Sequence, residues 1–201
     1  MALTFDGSTN TISGLLINSA NITDGSIVNA DINASAAIAS TKLSGITSGI
    51  TESDQWRVTS NFDSSGTTIT SNWARHSAYS AGLVGSGMSE SSGIFTFPST
   101  GIYRIDFLIT AYRISASNVR FVNQYIMATT DNSNYNEASY ASGSISNDAE
   151  AYSSGYCAFT FDVTDVSTHK VRFFVQAEEQ LRWYAYPNNG ITAIFTKLGD
   201  T

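Results

Sequence analysis

The chain has 201 residues, 42% of them hydrophobic and 12% aromatic, which is enough for a sizeable core and argues against global disorder. Charged residues make up only 13%, the formal net charge is −7 and no basic cluster occurs, so we expect no nucleic acid among its partners. No apolar run approaches the ~20 residues that span a bilayer, so we expect no membrane insertion. The start of the sequence also lacks the basic stretch followed by an apolar stretch that is typical of a secretion signal. The single cysteine, Cys157, excludes an intrachain disulfide.

The first 50 residues differ in composition from the rest of the chain. Phe5 is the only aromatic residue among them, although the chain contains 11 Phe, 10 Tyr and 3 Trp. A segment with so few aromatic side chains cannot build a thick core alone, so it needs neighbours. We therefore predict two parts, an N-terminal anchoring and trimerising segment over residues 1–50 and a knob domain over residues 51–201.

A five-residue period runs through the N-terminal segment, in which isoleucine recurs at Ile12, Ile17, Ile22, Ile27 and Ile32. Neither an α-helix nor a flat strand has this period, and a fixed repeat indicates a repetitive architecture. The pattern resembles pentapeptide repeats, in which every fifth residue points into a narrow β-helix, and the short shafts of fibre proteins from tailed bacteriophages. Because the repeat is too short to stand alone, we predict a β-helix-like or extended shaft in which three chains wind together. A disordered polar linker is the alternative.

Residues 35–50 are predicted to form a short helix around Ala36–Leu43 or a connector that ends at the glycines before the knob.

From Gln55 onward, period-two alternation predicts β-strands. Residues 101–112 form the clearest example, with one face made of Tyr103, Ile105, Phe107 and Ile109. In residues 118–130 the alternation places a second apolar face on Val119, Phe121, Tyr125 and Met127. Further strands are predicted at residues 156–164, 169–178, 181–186 and 190–198. Many short strands separated by turns predict an all-β fold, an antiparallel jelly-roll sandwich.

The segment from residue 93 to residue 107 resembles a family signature. The globular head of the complement first component and its tumour-necrosis-factor-like relatives share the pattern G-x-F-x-x-P-x-x-G-x-Y-x-F-x-F. The segment begins with Gly93 and continues the pattern at Phe95, Pro98, Gly101, Tyr103 and Phe107. Ile105 replaces the middle Phe of the pattern, and Ala193 stands where the closing strand usually has Gly. The resemblance covers about residues 55–198 and implies a jelly roll that trimerises around a three-fold axis.

No residue pattern in the chain predicts catalysis or a cofactor. His76 and His169 are the only histidines and lie in loop-like contexts, where surface positions are expected, and no G-x-S-x-G motif occurs. Cys157 alternates in phase with two Phe residues, so it is predicted to be a small buried hydrophobic residue. The loop of residues 131–137 offers oxygen atoms to calcium but matches no calcium motif. We therefore expect no enzyme, no cofactor and no metal site.

Two segments are candidates for recognition. Near a Pro-Asn-Asn-Gly turn lie five residues that could stack on and bind a sugar: Arg182, Trp183, Tyr184, Tyr186 and Asn188. Packing around the trimer axis is the favoured alternative for this group. Residues 131–155 have the Asn-, Ser- and Tyr-rich composition of an adaptable recognition loop, or of an ordinary solvated loop.

Taken together, these features predict a homotrimeric structural protein of a tailed phage virion, such as a head fibre, a capsid decoration protein or a short tail fibre. It would assemble in the bacterial cytoplasm, bind other virion proteins through residues 1–50 and expose a knob to a host-surface glycan or protein. The alternative is a free soluble trimer that binds a receptor or carbohydrate, like a lectin or a cytokine.

Overall fold

The computed structural model describes residues 4–6, 11–13, 22–23, 27–28, 32–33, 36, 38, 49–77, 83–114, 119–148, 150–185 and 190–201. The chain divides into two compact units, Met1–Ile46 and Thr47–Thr201, whereas the sequence analysis placed the division at residue 50. Within the described ranges, no helix is long and apolar enough to cross a membrane.

The first unit contains a short hairpin and a periodic bend. Strands β1 (Thr4–Asp6) and β2 (Thr11–Ser13) pair antiparallel, with Phe5 opposite Ile12. Farther along the chain the backbone bends at Ile22, Ile27 and Ile32. At these positions the backbone conformation therefore repeats every five residues, as the sequence does.

The repeated isoleucines are exposed in the single chain. The exposed fractions of Ile22, Ile27 and Ile32 are 41%, 55% and 41%. A closed β-helix within one chain would bury every fifth residue, and these three are not buried. Their burial therefore requires another chain, which stays a prediction. Ile17 and most of the predicted helix around Ala36–Leu43 lie outside the described residues.

The second unit is an antiparallel jelly roll. Its strands in the described ranges are β3 (Ser53–Val58), β4 (Phe62–Thr68), β5 (Trp73–Arg75), β6 (Ser89–Ser91), β7 (Ile94–Thr96), β8 (Gly101–Tyr112), β9 (Val122–Thr129), β10 (Asn136–Gly143), β11 (Tyr152–Val163), β12 (Lys170–Trp183) and β13 (Thr192–Gly199). The predicted all-β jelly-roll sandwich is confirmed, since every regular element described here is a strand and every pairing is antiparallel.

The strands form two layers. In the first layer, the front sheet, the order is β11-β8-β13-β3-β5. In the second layer, the back sheet, the order is β10-β9-β12, and β12 pairs at its other edge with β4 and β7. The end of β12 also pairs with the end of β8, which gives the sandwich a barrel-like closure.

Aromatic side chains from both sheets fill the space between the layers. The ring centroids of Phe107 on β8 and Phe173 on β12 lie 4.5 Å apart across the core. Phe95 on β7 is fully buried, and its centroid lies 5.1 Å from that of Phe195 and 5.2 Å from that of Trp73. The strict alternation predicted for β8 is confirmed, because its odd-numbered residues are buried.

An ion pair between a buried carboxylate and an exposed guanidinium stabilises the edge of the front sheet. Asp54 is 2% exposed and binds the guanidinium of Arg75 through both oxygens, at 2.9 and 3.0 Å. The same carboxylate accepts hydrogen bonds from Trp56 Nε1 and from the Met88 backbone N–H, both at 2.8 Å. Since all these donors converge on one carboxylate, β3, β5 and the segment before β6 are held in a fixed arrangement.

The inward and outward faces of strand β9 differ from those that the sequence analysis predicted. Val122, Gln124 and Ile126 point into the core, whereas Tyr125 and Met127, which the sequence analysis placed inside, lie on the outer face. Both faces of this strand carry large apolar residues, so alternation alone could not decide between them, and a shift of one residue exchanges the two faces.

Two further predictions are wrong. His169 is buried rather than on the surface, where its ring stacks on Phe161 at 5.3 Å. Its ring nitrogens lie 3.3 Å from Thr164 Oγ1 and 3.1 Å from Thr168 Oγ1, so a local polar cage allows the burial. Residues 131–155 are not one loop, because β10 lies within them and is held in place by its pairing with β9.

Candidate functional site

The outer face of the front sheet carries exposed apolar and aromatic side chains. Because the odd-numbered residues of β8 point into the core, its even-numbered residues point outward, among them the exposed Leu108 and the half-buried Tyr112. The pairing register places Tyr152 of β11 opposite Tyr112 and Tyr156 of β11 opposite Leu108. Tyr152 and Tyr156 are 57% and 50% exposed, which is unusual for such large side chains on a regular sheet.

Three tyrosines gather at one end of this face. The ring centroids of Tyr112 and Tyr152 are 4.9 Å apart, and Tyr184 lies 5.7 Å from Tyr152 and 6.4 Å from Tyr112. Partial desolvation together with the two neighbouring tyrosines raises the pKa of Tyr152 above its ordinary value. The Tyr152 side chain therefore stays neutral at physiological pH, and the three rings present large, rigid surfaces of the kind enriched at protein interfaces.

A shallow groove and a polar triad lie next to the tyrosines. The groove has a volume of about 400 Å³ and is bordered by Leu108, Thr110, Ser154, Tyr156 and Gly190. Beside it, Arg104 Nε donates to Asp106 Oδ1 at 2.9 Å and Arg104 Nη2 donates to the Tyr156 hydroxyl at 2.7 Å. The charges of this triad are paired with each other, so the face can be covered by another apolar surface without leaving an isolated ion. We name the outer face around Leu108, Tyr112, Tyr152, Tyr156 and Tyr184 the tyrosine face.

Comparison with known proteins supports the assignment of the fold. The chain matches no protein-family model and no curated protein sequence. Among solved structures it is similar to murine APRIL at pH 5.0, with a TM-score of 0.55 and 16% identity over 73% of this chain and 98% of APRIL. It is also similar to the Eiger TNF of S. frugiperda, with a TM-score of 0.58 and 11% identity over 76% of this chain and 96% of Eiger. The second unit has a tumour-necrosis-factor-like fold. At this level of identity the similarity concerns the fold alone.

The residues that match the family signature lie where the tumour-necrosis-factor-like knob has its core. Phe95, Tyr103 and Phe107 are all buried, and the Tyr103 hydroxyl reaches Ser99 at the rim, 3.1 Å from its Oγ. Gly101 has φ of 145°, and a Cβ there would approach the Gly199 carbonyl oxygen to 2.7 Å, so a side chain does not fit. Pro98 is partly buried in the segment between β7 and β8.

The structure describes three of the five candidate residues for sugar stacking in residues 182–188, and these three do not share one surface. Trp183 is fully buried and donates from Nε1 to the Ser64 carbonyl at 3.0 Å, so its ring belongs to the core. Arg182 forms a bidentate pair with Asp63, at 2.9 and 3.0 Å. Tyr184 joins the tyrosine face, while Tyr186 and Asn188 lie outside the described residues. Because successive side chains of a strand point to opposite faces, Trp183 points into the core while its neighbours in the sequence point outward. Their proximity in the sequence does not reveal this difference.

The residues considered for chemistry have structural roles. Burial raises the pKa of the Cys157 thiol to about 12, so the thiol stays protonated. Asp131 accepts hydrogen bonds from the Asn134 side chain at 2.6 Å and from the backbone N–H groups of Asn134 and Ser133 at 2.7 and 2.8 Å, which hold its pKa well below the ordinary value. The Asp131 carboxylate, one of the oxygen donors that this loop could offer to calcium, is thus engaged by its own loop. In the described ranges, no group of three or more His, Cys, Asp or Glu residues could hold a metal ion.

Sequence reasoning did not identify the tyrosine face, although one signal for it was available. In residues 101–112 the outward positions include the large Ile102, Leu108 and Tyr112 as well as polar residues. A solvent-facing strand does not require large side chains at those positions, so they indicated a covered face. The pairing partners Tyr152 and Tyr156 could not be assigned without the register of β11 on β8.

Proposed function

We propose that this protein is a homotrimeric fibre-type structural protein whose knobs associate through the tyrosine face. The observation that carries the proposal is this exposed apolar face, where Tyr152 and Tyr156 are half exposed in the single chain. A stable protein interface buries roughly 800 Å² on each partner and is enriched in Tyr. The tumour-necrosis-factor-like fold supports a trimer, because the family that the signature resembles trimerises through a jelly roll.

The exposed isoleucines of the first unit support the same oligomeric state. Burying an aliphatic side chain contributes about 1.5–3 kcal/mol relative to leaving it exposed. Ile22, Ile27 and Ile32 gain this energy only if other chains cover them. Three copies that wind together would place one isoleucine from each chain at every fifth position, which would form a shaft.

The finer part of the proposal is a place in the particle of a tailed phage. The period-five segment resembles phage fibre shafts, and the acidic, disulfide-free chain suits assembly in a bacterial cytoplasm. In this proposal residues 1–50 bind other virion proteins, capsid or tail, and the knob is exposed to the host. The role is structural and requires no catalytic centre and no cofactor.

The oligomeric state can be tested with charge substitutions on the two faces of the knob. In a chain that also carries Ile22→Asp and Ile27→Asp, so that the shaft cannot hold three chains together, Tyr152→Asp would bury three uncompensated carboxylates between the knobs, and we expect native mass spectrometry to shift from three chains to one. Tyr140→Asp in the same background is the matched control, because Tyr140 is 52% exposed on the back sheet, and it should leave the trimer intact. A stable wild-type monomer at micromolar concentration, or a trimer of the variant that combines Tyr152→Asp with the two isoleucine substitutions, would contradict the proposed interface.

A free trimer that binds a receptor or a carbohydrate is the second candidate, favoured by the fold similarity to APRIL and Eiger. Immunogold labelling of purified phage particles separates the two candidates. Labelled particles at constant occupancy support the structural role, and label found only in the soluble fraction supports the free binding protein.

A further inference from the structure

An aromatic row crosses the outer face of the back sheet. Tyr140 on β10 pairs with Tyr125 on β9, and Tyr125 pairs with Phe174 on β12, so three rings stand side by side on neighbouring strands. The Tyr140 and Tyr125 centroids are 5.4 Å apart with nearly parallel planes, and Tyr125 and Phe174 are 5.6 Å apart. These rings face away from the core, because Ile126 and Phe173 occupy the inward positions.

The aromatic row ends at an open ring. Strand β10 is the last strand in the order of the back sheet, and Tyr140 is 52% exposed. Tyr125 stacks on one face of the Tyr140 ring, and about half of the Tyr140 side chain is still exposed to solvent, so we infer that the opposite face can meet a ligand. Cross-strand packing alone explains the inner rings, but it does not require a large exposed ring at the end of the row.

A row of neutral polar side chains runs beside the rings. Ser142 pairs with Asn123, and Asn123 pairs with Gln176, one outward position along each strand. Asn123 Nδ2 donates to the Tyr125 hydroxyl at 3.0 Å, and that hydroxyl donates to Gln176 Oε1 at 3.0 Å, which fixes the orientation of these groups. Asn123 Oδ1 is shielded and has no hydrogen-bond partner in the described structure, so it is an acceptor that a ligand hydroxyl would satisfy.

The other flank of the row contains a bulge and a cation that is already engaged. The register of β10 on β9 shifts between Glu137 and Ser139, and such bulges redirect side chains near binding sites. The exposed Glu137 carboxylate is an acceptor for hydroxyl groups. The Arg172 guanidinium carbon lies 4.1 Å from the centroid of the Tyr135 ring, so this cation forms a cation–π contact with Tyr135. We therefore do not expect it to bind an anionic ligand.

From this arrangement we propose that the back sheet binds a neutral saccharide on the open face of Tyr140. The apolar C–H face of a pyranose ring fits a flat aromatic surface, and its hydroxyls match the acceptors and donors of Ser142, Asn123 and Glu137. A purely apolar peptide would leave this polar row unpaired, and an anion would meet the Glu137 carboxylate. The site deepens the proposed attachment role of the knob, but it lies on the opposite sheet from the tyrosine face.

The test uses the full-length protein and a panel of disaccharides of galactose, glucose, mannose and N-acetylglucosamine. We expect saturation-transfer NMR to detect at least one of them at millimolar concentration. Tyr140→Ala should weaken that binding by about tenfold or more, whereas Tyr140→Phe, which keeps the ring, should stay within about threefold of the wild type. Asn123→Ala should weaken it by a smaller factor, since it removes one polar contact.

Two controls make the outcome decisive. The melting temperature and the oligomeric mass of each variant must match those of the wild type, because a loss of binding through unfolding would lower the melting temperature. No saturation transfer from any disaccharide, or equal affinity of the wild type and Tyr140→Ala, would overturn the saccharide site. Either result is independent of the trimer, which mass measurements report separately.

Discussion

Replacement of Phe95 with alanine tests whether the core of the knob is organised around this residue. Phe95 is fully buried, and its ring centroid lies between 5.1 and 5.5 Å from those of Trp56, Trp73, Phe173 and Phe195. These partners belong to β3, β5, β12 and β13, so one ring contacts both sheets of the sandwich.

The magnitude follows from the cavity that the ring would leave. Truncation of a buried Phe to Ala costs about 3–5 kcal/mol through lost transfer energy and the residual cavity. Each aromatic pair adds about 0.5–1.5 kcal/mol beyond area burial, and Phe95 takes part in four of them. Because the range for Phe→Ala already includes such ring contacts, these four pairs place the loss at its upper end. We therefore expect Phe95→Ala to lower the free energy of unfolding by about 5 kcal/mol, a large fraction of the ~5–15 kcal/mol that stabilises a typical domain.

Urea unfolding followed by tryptophan fluorescence measures this loss, with circular dichroism as a second probe. Protomer concentration must be constant, since unfolding of an oligomer depends on it. Phe121→Ala is the matched control, because Phe121 is partly exposed and lies outside the strands. This substitution should lower the free energy of unfolding by less than about 1.5 kcal/mol. Equal losses in the two variants would refute the central role of Phe95.

Three further predictions concern separate parts of the chain. Cys157, whose pKa burial raises to about 12, should resist iodoacetamide in the native protein and react fully in urea, as mass spectrometry would show. The depressed pKa of Asp131 means that its ionised form stabilises the folded loop above the ordinary Asp pKa of about 4. Asp131→Asn should therefore lower the urea midpoint at pH 7, and the difference from the wild type should shrink as the pH falls below about 4; a difference that does not depend on pH would contradict this reasoning. Ile22→Asp combined with Ile27→Asp should increase protease cleavage within residues 1–46 and leave the melting of the knob unchanged, whereas an unchanged cleavage pattern would argue against a shaft.

Strands whose charged residues lie on one face only were predictable from the sequence. The inward positions around Phe107 in β8 and Phe173 in β12 are apolar, whereas Asp106 and Arg172 lie on the outer faces, so the period of two gives the correct face although each outer face also contains large apolar side chains. Strand β9 has Ile126 on one face and Tyr125 on the other, and the pattern could not distinguish them. Strand β10 is poor in β-branched and large apolar residues, and its extended form depends on pairing with β9.

The candidate surfaces depended on pairings that no local pattern encodes. Tyr112 and Tyr152 are 40 residues apart in the sequence and meet because β11 pairs with β8 in one particular register. Likewise, Tyr140 reaches Tyr125 only through a hairpin that contains a bulge. A linear cluster such as residues 182–184 is visible in the sequence, yet alternation sends Trp183 into the core.

The two outer faces of the sandwich predict how oligomerisation and ligand binding combine. The tyrosine face and the Tyr140 row lie on opposite sheets, and substitutions at distant sites that share no partners have independent effects. A monomeric variant that combines Tyr152→Asp with Ile22→Asp and Ile27→Asp should therefore bind a single disaccharide as tightly as the wild type does. On a surface that presents many glycans, however, a trimer engages three sites at once and gains by effective concentration. We expect the monomeric variant to dissociate from a glycan-coated sensor about 100-fold faster than the trimer. Equal dissociation rates would show that the three sites do not face one surface.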